Sequence, residues 1–556
     1  MTIQDRASEL TGLHSFCYYG VKSQIYAEMS EGSGTDMIRS ERELYTWQKE
    51  CLKAWEKNNY HGIVNVVTGA GKTVLAIAAA MALADKLAHK GKKLRIRVVV
   101  PTSALARQWR VRLTEDLPLH LVENGVGQYG GNRRDSAGRN CMVYVINSAR
   151  YTLARQLVKD MDDGYEVLLI ADECHHYASP ENRKIFAYQY GKIVPIRAEY
   201  RPQKVYTLGL SATPNCQDYE SVLEPSLGKE IYRYGFEEGA RQQTVSPFLI
   251  GQVSLSFTSA EAFAYTELSD KMNLTYRKLL QEYPGLSKLS GRSFFKELRG
   301  LAQEEEELPI AYLHLSYQRA ALSQTAAGRT ACASRLVTEL RESERILIFS
   351  ERIEQAEELY VRLRELYPGR IGRYHSELSS TFRKIQLERF RDGDIRILIT
   401  CKAMDEGIDV PDVTVGIVMS CTGTSRQRIQ RLGRILRRSA GKESAVLYYL
   451  SVQDSMDDTA YLPDKVQPRD IFSLQYDAES DGFSNEEYAK KADALYIKLA
   501  GPLSEEQRRE FRCCLQEGLA RADWLLPMKF CEGKVRTSES QHERNYWICM
   551  KHLSRS

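Results

Sequence analysis

Short, uninterrupted apolar runs recur along the chain, each followed by residues at helical spacing: IVNVV, RIRVVV, MVYVI, VLLIAD and VYTLGL, then RILIFS, IRILIT, VGIVMS and AVLYYL. Runs of this length without polar alternation are strands buried on both faces, as in parallel sheets covered by helices. Two such groups predict two α/β lobes. Between them, 258 to 342 reads as helical: Thr258-Ser-Ala-Glu261 has the form of a capping box, and Leu268, Met272, Tyr276 and Leu279 share one helical face. EGSGTD at 31 to 36 reads as a flexible lead and GPLS at 501 to 504 as a break. The predicted organisation is an extension over 1–36, a first lobe over 37–225, a second lobe over 226–455 that includes the helical insertion, and a mostly helical accessory region over 456–556.

Composition narrows this picture. A chain of 556 residues is too long for one core. No apolar run approaches the roughly 20 residues of a membrane helix, and MTIQDRASEL lacks the basic then apolar order of a signal peptide, so a cytoplasmic location is expected. The 12 cysteines form no CxxC pair, which indicates neither a zinc ribbon nor a disulfide framework. With a net charge of only +4, any basic surface for nucleic acid must be local.

Candidate chemistry begins at VVTGAGKTVL, residues 66 to 75, where a buried strand runs into a glycine turn and an apolar helix. The strict phosphate-loop pattern requires glycine where Val66 stands, so a plain strand-to-helix turn carrying a lysine is the competing reading. As a phosphate cradle, the backbone amides of Gly69, Ala70, Gly71, Lys72 and Thr73 would surround the β-phosphate, with Lys72 on the β and γ oxygens, the Thr73 hydroxyl on Mg²⁺ and Thr68 completing the nucleotide-binding turn. A second element weighs against the plain turn. After the strand Val167 to Ile170 come Asp172 and Glu173, an acidic pair where a parallel strand opens on a ligand crevice. Asp172 suits a magnesium held through water, and Glu173 a base for the attacking water.

These elements resemble superfamily 2 helicases and translocases over about residues 44 to 450. The motifs follow the family's order: LYTWQ at 44–48, PTSALARQW at 101–109, the Asp-Glu-Cys-His box, SAT at 211–213, IFS at 348–350, AMDEGIDVP at 403–411 and QRLGRILR at 430–437. The box and the helical insertion are most similar to the branch of excision-repair helicases and restriction-enzyme motor subunits. The resemblance implies two RecA-like lobes, with ATP and Mg²⁺ as cofactors. It implies that Gln48 reads adenine, that Gly407 and Asp409 meet the nucleotide from the second lobe, and that Gln430, Arg434 and Arg437 oppose the γ-phosphate, the two arginines stabilising transition-state charge. His175, Ser211 and Thr213 are the implied coupling element. Pro101, Thr102, Ser103, Asn147, Ser350 and Thr400 are the implied contacts to the nucleic-acid backbone, which position a strand without reading its sequence.

The function expected is an ATP-dependent helicase or translocase, acting on DNA in preference to RNA, as the motor of a repair or defence system with a separate nuclease or effector subunit. The alternative is an ATP-gated clamp on RNA or DNA that does not unwind. The accessory region carries no nuclease signature: Asp464 and Glu532-Gly-Lys534 are far apart and lack a strand context. Tyr546 and Trp547, beside Arg544 and Lys551, are read as core ahead of base-stacking residues.

Overall fold

The computed structural model describes residues 43–190, 205–216, 218–242, 244, 248–401, 413–420, 444–455 and 471–554, and the chain divides into two units between Gly235 and Phe236.

In the first unit the apolar runs form β1 (His61–Val66), β2 (Leu94–Val100), β3 (Val126–Tyr129), β4 (Cys141–Val145), β5 (Glu166–Asp172), β6 (Val205–Ser211) and β7 (Glu230–Tyr234). They pair in the order β3-β4-β2-β5-β6-β1-β7, parallel at every junction. All residues of β2, β4 and β5 are buried, the pattern of strands covered on both faces. β7 takes this unit past residue 225, the lobe end expected from sequence, because its main chain pairs with β1. The buried arginines of β2 are neutralised locally. Arg97 Nε donates to Asp160 Oδ2 at 2.6 Å and Arg95 Nη1 to Asp160 Oδ1 at 2.7 Å, so one carboxylate on the helix Ile146–Asp162 serves two guanidinium groups.

The second unit holds β8 (Phe248–Leu255), β9 (Ile346–Ser350), β10 (Ile371–Tyr374), β11 (Ile397–Cys401), β12 (Val415–Val418), β13 (Ala445–Val452), β14 (Ile471–Asp477) and β15 (Gly482–Ser484). Their order is β10-β11-β9-β12-β13-β8-β14-β15, parallel except where β15 returns against β14. Two parallel sheets of this kind are the two RecA-like lobes.

Within the expected insertion three helices, Ser259–Glu282, Gly291–Gln303 and Glu307–Gln324, surround a small core of Leu279, Leu286, Phe294, Leu298 and Leu313, while a fourth, Gly328–Glu339, packs into the core of the second sheet. The insertion's first helix opens on the capping box read from sequence: Glu261 N–H donates to Thr258 Oγ1, and Thr258 N–H to the Glu261 carboxylate.

The accessory region is not purely helical at its start, since β14 extends the second sheet by pairing with β8. Four helices follow, Glu486–Leu499, Glu505–Arg521, Met528–Thr537 and Gln541–Leu553. Their buried side chains, Tyr488, Leu495, Cys514, Trp547 and Met550 among them, together with Trp524 from the turn Asp523–Leu525, continue the core that also contains Leu336 and Tyr448. Tyr546 and Trp547 are therefore core residues. Arg341 lies over both rings and pairs with Asp523, which also accepts from the Tyr546 hydroxyl. Among the described residues no helix is long and apolar enough to cross a membrane.

Candidate active site

Because all strands of the first sheet are parallel, their carboxyl ends emerge along one edge, and neighbours in the order β2-β5-β6-β1 bring four sequence motifs together there. β1 ends at Val66, and the helix Lys72–Ala88 starts after the turn. Gly69 and Gly71 hold φ of 89° and 100°, a region costly for side-chain-bearing residues. Gly71 also leaves the start of this 17-residue helix without a side-chain cap, so its first N–H groups are directed at whatever anion the turn encloses. The Thr68 hydroxyl is buried with no hydrogen-bond partner among the described residues, as a group that binds a ligand would be.

Lys72 Nζ donates to Glu173 Oε1 at 2.9 Å, the two side chains 11% and 12% exposed. Glu173 has φ 48°, ψ 50°, a left-handed conformation that turns the chain from β5 into the short helix Cys174–Ala178. For a residue other than glycine this costs about 1–2 kcal/mol. The turn is pinned by Tyr177, whose hydroxyl lies 2.7 Å from the Asp172 carbonyl and 3.0 Å from that of Val99.

Asp172 is buried, with Oδ2 accepting from the indole N–H of Trp109 at 2.7 Å and Oδ1 from the Glu173 N–H at 3.1 Å. Burial raises its pKa above the ordinary carboxylate range, and the Glu173 charge adds to the rise against the opposing influence of Lys72 and Trp109. A divalent cation here would favour the ionised form, and with both oxygens already hydrogen-bonded Asp172 fits a magnesium held through water. The donor set of Asp172, the Thr73 hydroxyl and the glycine turn suits a magnesium nucleotide.

In the sequence, Trp109 stands out only as the end of PTSALARQW. Its signal is its spacing from Ala106 and Leu113, which puts all three on the buried face of the helix Ser103–Asp116. Tyr177 has no comparable signal.

His175 Nδ1 lies 2.9 Å from Ser211 Oγ, and the Thr213 N–H donates to that same oxygen at 3.0 Å. The structure thus joins His175, Ser211 and Thr213 in one chain of contacts starting beside Glu173. Gln48 is buried, its amide donating to the Gly71 carbonyl at 3.0 Å and accepting from the Tyr45 N–H at 2.9 Å, so it is tied to the glycine turn. Trp47 beside it stacks on Tyr234 with ring centroids 4.9 Å apart.

The expected strand contacts divide into two kinds. Pro101, Thr102 and Ser103 follow β2, with Thr102 capping the next helix through the Leu105 N–H, and Asn147 is exposed in the first turn of Ile146–Asp162. Ser350 and Thr400 lie at the ends of β9 and β11. Both are buried: Ser350 donates to the Arg352 carbonyl at 2.9 Å, and Thr400 to the Ile348 carbonyl at 3.1 Å inside the sheet. Gly407, Asp409, Gln430, Arg434 and Arg437 lie outside the described residues.

Residues 41–216 match the family described as Type III restriction enzyme, res subunit, and residues 329–439 the helicase conserved C-terminal domain. The DNA 3'-5' translocase XPB2 of Sulfurisphaera tokodaii is 31% identical over 407 residues, 72% of this chain and 80% of the relative. The DNA 3'-5' helicase XPB of Mycobacterium tuberculosis is 23% identical over 398 residues, 71% of this chain and 58% of that protein. Among solved structures, the helicase domain of Pyrococcus furiosus Hef aligns with 75% of this chain and 97% of its own at 15% identity and a TM-score of 0.47. The order of motifs, the two sheets that carry them and the identity to XPB2 lead to one assignment: this chain belongs to the XPB-type DNA helicases and translocases of superfamily 2.

Proposed function

We propose that the protein hydrolyses ATP at the edge formed by β1, β5 and β6 and uses the hydrolysis to move along DNA, separating strands or remodelling what is bound to them. The observation that carries the reading is the Lys72–Glu173 ion pair beside buried Asp172. An incoming triphosphate, richer in charge than one carboxylate, draws Lys72 to its β and γ oxygens. Glu173 is then free to accept the proton of the attacking water. Its second oxygen makes no hydrogen bond among the described residues and lies 3.5 Å from His175 Nδ1, and its backbone is locked in place by the strained turn.

Asp172 and Thr73 would hold the magnesium, which would supply charge neutralisation on the phosphates. Gln48 exchanges its bond to Gly71 for the adenine edge, and Thr68, Gly69, Ala70 and Gly71 line the phosphates. Gly407 and Asp409 contact the nucleotide, Gln430 orients the attacked phosphate, and Arg434 with Arg437 stabilises the charge that develops as the phosphoryl group leaves. His175, Ser211 and Thr213 relay the state of the phosphate site to the DNA-binding loops. Pro101, Thr102, Ser103 and Asn147 meet the DNA backbone, and Ser350 and Thr400 hold the shape of the loops that follow them.

We further assign the protein to the cytoplasm, to DNA in preference to RNA, and to repair or defence work with a separate nuclease or effector subunit. The names of the XPB relatives support DNA. The test is ATP hydrolysis with single-stranded DNA, duplex DNA and RNA, followed by strand displacement on the best stimulator. Stimulation by DNA with displacement or translocation supports the reading. Stimulation without movement would leave an ATP-gated clamp.

A further inference from the structure

Far from the nucleotide motifs in sequence, two helices of the accessory region face each other with unusual chemistry. On Glu505–Arg521, Glu510 and Cys514 stand four residues apart, one above the other on one face. On Gln541–Leu553, His542 and Cys549 stand two turns apart, again on one face. The carboxylate of Glu510, the thiol of Cys514 and the imidazole of His542 offer donor atoms all within 4.8 Å of one another. His542 Nδ1 lies 2.6 Å from Glu510 Oε1, and Cys514 Sγ 3.9 Å from the same oxygen. Cys514 and Cys549 are both buried and free.

We propose that Glu510, Cys514 and His542 bind one zinc-class divalent ion that fastens these two helices together, with water completing its coordination. Sulfur, imidazole and carboxylate are the donor types of four-coordinate zinc, whose bonds of about 2.0–2.3 Å set donors about 3.5 Å apart, so the cluster closes on an ion by a shift of roughly 1 Å. The surroundings of His542 also have the form that a metal-bound histidine requires. With Nδ1 turned to the cluster, the other ring nitrogen of His542 lies 3.1 Å from Glu517 Oε1, and Glu517 is itself fixed by Arg521, whose Nη1 donates to Oε2 at 2.6 Å. A carboxylate on the far nitrogen is what selects the tautomer of a metal-bound histidine and aims its ring. The two acidic side chains also favour a cation there.

The test uses the full-length chain, reduced and stripped with a chelator, titrated without nucleotide first with Co²⁺ and then with Zn²⁺. The expected result is uptake of one Co²⁺ per chain with a thiolate-to-cobalt charge-transfer band that Zn²⁺ abolishes, together with a higher melting temperature in Zn²⁺. Cys514→Ser should lose the band, and Glu517→Gln should weaken binding by about 10-fold. His542 lies partly at the surface, so His542→Ala probes the site in a folded protein even where a change at buried Cys514 does not fold. Absence of stoichiometric uptake would overturn the proposal, as would uptake and Zn²⁺ stabilisation unchanged in His542→Ala. The cluster would then be an ion-pair clamp without metal.

Discussion

The indole N–H of Trp109 donates to Oδ2 of Asp172 across 2.7 Å, linking the helix after β2 to the acidic end of β5. Both partners are buried, so the bond fixes which way the carboxylate faces without competition from water. Trp109→Phe keeps most of the ring packing and removes the donor. The expected outcome is a folded protein needing about 10- to 100-fold more Mg²⁺ for half-maximal ATP hydrolysis, the usual cost of losing the partner that orients a metal-binding group. A magnesium titration of the DNA-stimulated ATPase checks it. An unchanged midpoint would reduce Trp109 to a packing residue.

The ion pair between Lys72 and Glu173 predicts two different failures. Lys72→Ala removes the charge that meets the phosphates and should abolish turnover while weakening nucleotide binding. Glu173→Gln should slow turnover by about 10²-fold or more with ATP still bound, because only the base is lost. Equilibrium binding of a fluorescent ATP analogue, set beside single-turnover hydrolysis, separates the two. Normal hydrolysis in either variant would defeat the roles assigned to the pair.

Arg437→Ala is expected to leave nucleotide affinity nearly unchanged and to slow hydrolysis by about 10³-fold, the scale of an arginine that acts on transition-state charge. A wild-type rate would remove Arg437 from the catalytic set.

Ser211 Oγ is the shared atom between His175 and the Thr213 main chain, so Ser211→Ala cuts the relay at its middle. Basal ATP hydrolysis should persist, while strand displacement per ATP consumed falls severalfold. Simultaneous phosphate-release and displacement assays read that ratio. An unaltered ratio would make the contact a loop brace with no coupling role.

Much of the fold and the phosphate site is legible in the sequence because a parallel sheet writes its strands as continuous apolar runs and delivers motifs to one edge in a fixed manner. The missing glycine at the head of the phosphate loop illustrates what a pattern omits. Val66 is the last residue of β1, buried and paired with Tyr234, and needs no special backbone freedom; the positions that do are Gly69 and Gly71. The role of Trp109 is hidden because its partner lies 63 residues away in sequence, and no local period announces a hydrogen bond between two elements. β7 and β14 escape a reading of apolar runs for a related reason. EIYRY and IFSLQYD alternate or mix polar side chains, as strands near a sheet's margin do, and so lack the solid apolar signature of the central ones. The Thr400 hydroxyl donates across the sheet to Ile348, a contact between two strands that the local sequence does not announce.

The pairing of β14 with β8 makes the tail inseparable from the motor half it follows. Trimming the chain before Ile471 would bare the main-chain groups of β8 along one side and strip the apolar cover from Tyr448 and Leu336, inviting self-association through an open strand. Anyone shortening this protein to a minimal ATPase should expect aggregates, and a protease that reaches the tail would silence the enzyme without touching a catalytic residue.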